Sequence, residues 1–154
     1  MTGRQFKDLF AAIAKQSGWN RLSNGWVFPQ RDCDECAVTI SLQQASHEKT
    51  MYVNIGVYVD GISGYRLQDR AHLEGTQAHV FRREPQHMSH VLNFSTTISD
   101  EQRTQELVTL FTFLNDFATK ATTRLGLLDL EKHKEVFIIS PVRYELERPE
   151  ADRQ

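Results

Sequence analysis

Apolar and polar positions alternate over two neighbouring stretches of the chain. In the first, Cys36, Val38, Ile40 and Leu42 share one face while Ala37, Thr39, Ser41 and Gln43 share the other. In the second, Met51, Val53, Ile55, Val57 and Val59 oppose Tyr52, Asn54, Gly56 and Tyr58. A period of two marks half-buried strands, and the short polar link between them marks a β-hairpin. A four-residue loop, His47 to Thr50, predicts a register in which Leu42 faces Ile55, Ile40 faces Val57 and Val38 faces Val59. On the polar side it sets Gln43 against Asn54 and Thr39 against Tyr58. A slip of one residue would turn every side chain to the wrong face, so the buried face holds the register.

The period changes at both ends of the chain. Thr2 and Gln5 form the T-x-x-Q of a capping box, Phe6, Leu9, Phe10 and Ile13 recur at helical spacing, and Gly18 supplies a stop. Trp19 and Leu22 lead to a turn at Asn24-Gly25, and Trp26 to Gln30 reads as a first strand that Pro29 ends or confines to a sheet edge. The polar run Arg31 to Glu35 turns into the hairpin. Beyond Asp60 the sequence predicts a long loop, 61–76, with a short helical turn. A strand at Gln77 to Arg83 follows, with Ala78 and Val80 facing one way and His79 and Phe81 the other; His90 to Phe94 reads as a fifth.

Ser99 to Gln102 reads as a second capping box. Leu107, Leu110, Phe111, Leu114, Phe117, Ala118, Ala121 and Leu125 then keep one helical face until Gly126. Leu127 to Lys134 reads as a short turn and Glu135 to Ser140 as a buried strand. Ser140-Pro141 either starts a helix or bends the chain, since Val142, Tyr144 and Leu146 also alternate as a strand would. The expectation is an α+β fold: an antiparallel sheet of four to five strands with an N-terminal helix and a long closing helix packed on it. Residues 1–148 make one domain, and 149–154 read as a frayed tail.

Composition narrows the function. A chain of 154 residues can bury a core without disulfides or metals. A net charge of −2 offers no basic excess to track a phosphate backbone, which disfavours nucleic acid. The apolar runs are too short to span a bilayer, and the N-terminus lacks the apolar centre of a signal peptide, so a cytoplasmic location is expected. Cys33 and Cys36 have knuckle spacing, but a zinc site needs two more ligands, and His87 and His90 lie about fifty residues away, outside any common finger pattern. The alternation instead puts Cys36 in the core and Cys33 in an exposed turn. No metal or cofactor is expected, and no G-x-S-x-G, H-E-x-x-H or phosphate loop occurs.

The segment WVFPQRDCDECAVTISLQQAS followed by MYVNIGVYV resembles the core of a bacterial family catalogued as domain of unknown function 4304. The matching positions are Phe28, Arg31, Leu42, Gln43, Ser46, Tyr52, Asn54, Gly56, and Arg82 or Arg83, and the resemblance runs over residues 4–125. It implies no reaction. It does imply a bacterial setting in which such domains often accompany toxin genes as immunity proteins.

One face of the hairpin suits recognition. Tyrosines interleaved with amides and hydroxyls bury area at low entropic cost while still hydrogen-bonding. The expected function is therefore a non-enzymatic protein-binding domain, and the family resemblance implies its most specific form, an immunity protein that neutralises a cognate toxin. Gln43, Tyr52, Asn54 and Tyr58 would make contact, and Asp32, Asp34 and Glu35 would form an acidic rim for a basic partner. A competing expectation is a small-ligand binder or enzyme using His79, Arg82 and His90 beneath the loop 61–76. A third is a homodimer formed through Trp26 and Phe28 on an edge strand.

Overall fold

The computed structural model of the chain describes residues 1–46, 49–69, 72–73 and 77–153. Helix α1, Gly3–Gln16, opens with the expected reciprocal cap: Gln5 N donates to Thr2 Oγ1 at 3.1 Å and Thr2 N to Gln5 Oε1 at 2.8 Å. Gly18, at a φ of 95°, takes the left-handed conformation that turns the chain away. Strands β1, Asn20–Leu22, and β2, Gly25–Val27, form a tight hairpin around Ser23 and Asn24. A Cβ on Gly25 would lie 2.2 Å from the Ile40 carbonyl oxygen, so only glycine lets β2 lie this close to the next strand.

That strand is β3, Cys36–Gln44, which pairs with β4, Met51–Val59, and β4 in turn pairs with β5, Val80–Arg83. All five strands run antiparallel in the order β1-β2-β3-β4-β5. The fold is thus α+β, as the sequence predicts.

The central register differs from the expected one by two residues. Leu42 pairs with Val53, Ile40 with Ile55, Val38 with Val57, Gln43 with Tyr52 and Thr39 with Gly56. Ala45 N bonds the Thr50 carbonyl at 2.9 Å, so the link between the strands starts one residue earlier than expected, which displaces the pairing by two. His47 and Glu48, in the predicted turn, lie outside the described residues. An even shift preserves faces, and the two faces stand as predicted.

On the apolar face lie α1 and helix α2, Asp100–Ala121. Phe10 binds the layers together, with its ring 5.2 Å from Trp26 and 4.9 Å from Phe111. Ser99 caps α2 through Gln102 N at 3.0 Å, but the Gln102 amide turns to Glu106 and leaves the capping box half made. The stripe from Leu107 to Ala121 is buried throughout. Leu125 is not part of it: Thr123 caps a new helix, α3, Arg124–Lys132, and the change of axis turns Leu125 out to solvent.

After α3 the expected strand at 135–140 is an irregular extended segment, and the chain closes with α4, Ser140–Glu147, with Pro141 in its first turn. The expected strand at 90–94 is likewise a 3-10 turn, Gln86–Leu92, with a lone bridge between Thr50 and Asn93. Arg103, buried on α2, holds this turn by donating to the carbonyls of Val91, Asn93 and Thr96. No helix among the described residues is long and apolar enough to cross a membrane.

Candidate functional site

The polar face of the sheet divides in two. Over one half, Tyr65 and Leu73 pack with Leu22, Val27, Ala37 and Tyr58 as a second apolar cluster. Tyr58 is only 6% exposed, its ring 5.7 Å from Tyr65 and 5.9 Å from His79. Burial raises its pKa against a lowering hydrogen bond with Thr39, and burial raises that of Tyr65 as well. Tyr58 is therefore a core residue here and cannot serve as the contact expected of it. The alternation places it correctly on the polar face, and Tyr65 and Leu73 cover that half of the face. Arg70, Ala71 and residues 74–76 of the loop lie outside the described residues.

The other half stays open. Gln43 is exposed and accepts from Asn54 Nδ2 at 3.0 Å, while half-buried Tyr52 lies under the Arg83 guanidinium, 4.1 Å from its ring centre. Three of the expected contact residues are thus assembled on one surface. The expected cross-strand pair Gln43–Asn54 forms as a diagonal, because Asn54 sits directly opposite Ser41.

The acidic rim does not form. Asp34 is 7% exposed; its carboxylate accepts from Arg31 N at 2.8 Å and closes the turn before β3. Glu35 is occupied by Arg124, 3.6 Å away, and by Arg153, 3.0 Å away. Asp32 alone of the three remains exposed. The Arg153 contact also ties down residues 149–153 of the segment expected to fray, where Glu150–Asp152 form a 3-10 turn. Two of the three acids hold the fold, and the arginines that claim Glu35 are distant in sequence.

The groups of the competing expectation are dispersed. His79 lies on the covered face, and its Nδ1 accepts from Val59 N at 2.8 Å. That bond makes Nε2 the protonated nitrogen, and Nε2 is buried with no partner among the described residues; burial lowers the pKa of the ring. His90 pairs with Glu106 at 2.6 Å. Arg82 points to the helical side, 5.1 Å from the Phe113 ring centre and 5.5 Å from that of Phe117. A cleft of about 190 Å³ does lie between sheet and loop, beside Thr39, Ser41, Tyr58 and Leu73, but none of these three side chains lines it. Among the described residues, no group of three or more His, Cys, Asp or Glu could hold a metal ion. Cys36 is buried, with burial pushing its thiol up to about 12, and Cys33 is exposed; both are free thiols.

Trp26 and Phe28 do not form an edge. β1 covers β2, Trp26 is buried against Phe10, and Phe28 stacks edge-on against Trp19. The edge position expected of them is taken by β1.

One element of the open half escapes sequence reading. β5 is the outer strand, and its Phe81 is 54% exposed on the same face as Arg83 and Asn54. Around that edge runs the segment 134–137, where Phe137 is 78% exposed. Phe81 and Phe137 line one groove of about 540 Å³ together with Arg82, Glu131, Lys134 and Arg143. No local signal marks it: Val136, Phe137, Ile138 and Ile139 are an unbroken apolar run in sequence, and only in the structure does their burial alternate. A scan against protein-family models and searches of curated proteins and of solved structures find no match to the chain.

Proposed function

We propose that this chain is a non-enzymatic domain that works by binding another protein. The observation that carries the reading is the exposure of Phe81 and Phe137 on one groove, beside the open sheet surface of Gln43, Tyr52, Asn54 and Arg83. Exposed aromatics cost free energy in water, and aromatics that share a groove with arginines have the composition of interface centres. The resemblance to the immunity-associated family makes a toxin-neutralising role the most specific form of this proposal.

The test is affinity purification of the tagged protein from its native host, in parallel with a Phe81→Ala/Phe137→Ala variant shown by circular dichroism to be folded. A stoichiometric protein retained by the wild type and lost by the variant supports the reading. If that protein arrests growth when expressed alone and not when co-expressed with this chain, the immunity role follows. A partner held equally by both forms refutes the assigned surface.

A further inference from the structure

The charges around the groove are mostly used up internally. Arg143 forms a two-pronged bond with Glu131, at 2.9 Å and 2.5 Å, which lowers the Glu131 pKa through that hydrogen bond. Arg82 donates to the Glu135 carbonyl at 2.9 Å and lies 4.0 Å from its carboxylate. Glu84, at the end of β5, accepts from Val53 N at 2.7 Å. What remains is Lys134 at the groove wall and Arg83, two residues from Phe81 on the same strand face. Both are exposed, and neither pairs with a carboxylate among the described residues.

We infer that the occupant of this groove is a protein segment carrying an apolar side chain flanked by carboxylates, which seats the apolar group between Phe81 and Phe137 and sets its charges against Arg83 and Lys134. The inference rests on the protein-binding reading and sharpens it. It also reverses the polarity expected from the sequence, because two of the acids that would have attracted a basic partner are engaged in the fold. A second copy of the chain fits poorly: a two-fold contact places the patch on itself, bringing Arg83 and Lys134 toward their own images. A groove of about 540 Å³ accepts a large side chain, and the two cations beside it would set orientation and encounter rate.

The experiment measures fluorescence anisotropy with three labelled peptides that share a central Leu-Phe pair. One is flanked by glutamates, one by serines and one by lysines. The full-length protein should bind the glutamate peptide roughly tenfold more tightly than the serine peptide, and the lysine peptide weakest of all. That preference should shrink as salt rises past about 0.15 M, where the screening length falls to about 8 Å. Arg83→Glu/Lys134→Glu should invert the preference so that the lysine peptide binds best, and Phe81→Ala should weaken all three peptides alike.

Equal binding of the three peptides, or a preference that survives the charge reversal, overturns the inference. So does no binding of any peptide by a folded protein. A mass that doubles with concentration and returns to the monomer value in Phe137→Ser would overturn it in favour of self-association. The native-host purification answers a separate question: a partner lost with Phe81→Ala/Phe137→Ala but kept with Arg83→Glu/Lys134→Glu would leave protein binding standing and remove only the acidic partner.

Discussion

Arg124 is the side chain whose loss the structure predicts most sharply. It is 5% exposed at the start of α3, where it donates to the Asp60 carbonyl at 2.8 Å and to the Glu145 carbonyl. Its guanidinium also lies 3.6 Å from the Glu35 carboxylate and 3.5 Å from that of Glu145. One planar fork thus joins the entry of β3, the exit of β4 and the C-terminal helix. Arg124→Met removes two charge-assisted bonds to backbone carbonyls, each worth about 1.5–3 kcal/mol. The carboxylates do not become orphans, since Glu35 keeps Arg153 and Glu145 keeps Arg148. Relief from desolvating the guanidinium offsets part of the loss. The net expectation is a destabilisation of about 3 kcal/mol, a large share of the roughly 5–15 kcal/mol typical of a domain. Urea unfolding followed by circular dichroism should show it as a lower midpoint at unchanged slope. The melting temperature should fall by about 6–12 °C. Hydrogen exchange should quicken first in α4, which is held otherwise by Val142 and Leu146 and by the Arg143–Glu131 pair. Arg124→Lys should recover little, because a single ammonium cannot span the same carbonyls. A loss below about 1 kcal/mol, or full rescue by lysine, would refute the argument that geometry rather than charge holds this corner.

Three further outcomes follow from the same structure. Burial holds the His79 pKa below its ordinary value, so its contribution to stability is complete above about pH 6.5 and is lost as pH falls through the folded value; melting temperatures across that window should drop less in His79→Asn, whose amide oxygen can still accept from Val59 N. Gly56→Ala places a Cβ 2.9 Å from the Ala78 Cβ and 3.0 Å from Thr39 Oγ1, which should cost about 1–3 kcal/mol by chemical denaturation and be partly relieved by adding Ala78→Gly. Cys33 should react with a thiol reagent in the native protein, whereas Cys36, buried and with its pKa pushed up to about 12, should react only as the protein unfolds; equal native rates would contradict its placement.

Much of the architecture is legible in local pattern. Period-two alternation assigns every side chain of β3 and β4 to its face, and the capping box and stripe locate α1 and most of α2. A pattern of period two is blind to an even slip, which is why the faces agree while the register is displaced by two residues. The segment 135–140 misleads for a related reason. Extended backbone with apolar residues describes both a strand and an unpaired strap, and only a neighbour bonded in the ladder separates them.

The site is decided by contacts that no local pattern encodes. Tyr52 and Tyr58 occupy equivalent positions on one strand face, yet Tyr58 lies under Tyr65 and Leu73 while Tyr52 stays accessible beneath Arg83. Asp32 and Glu35 share one acidic turn, yet Glu35 is claimed by Arg124 and Arg153, which the fold brings back from far along the chain. Phe81 and Phe137 are ordinary apolar residues in sequence, and they become a surface because the sheet ends at β5 and leaves both rings exposed. Alternation determines which side of a strand a residue faces; whether anything covers that side depends on where distant segments pack, and packing sums contacts over the whole chain.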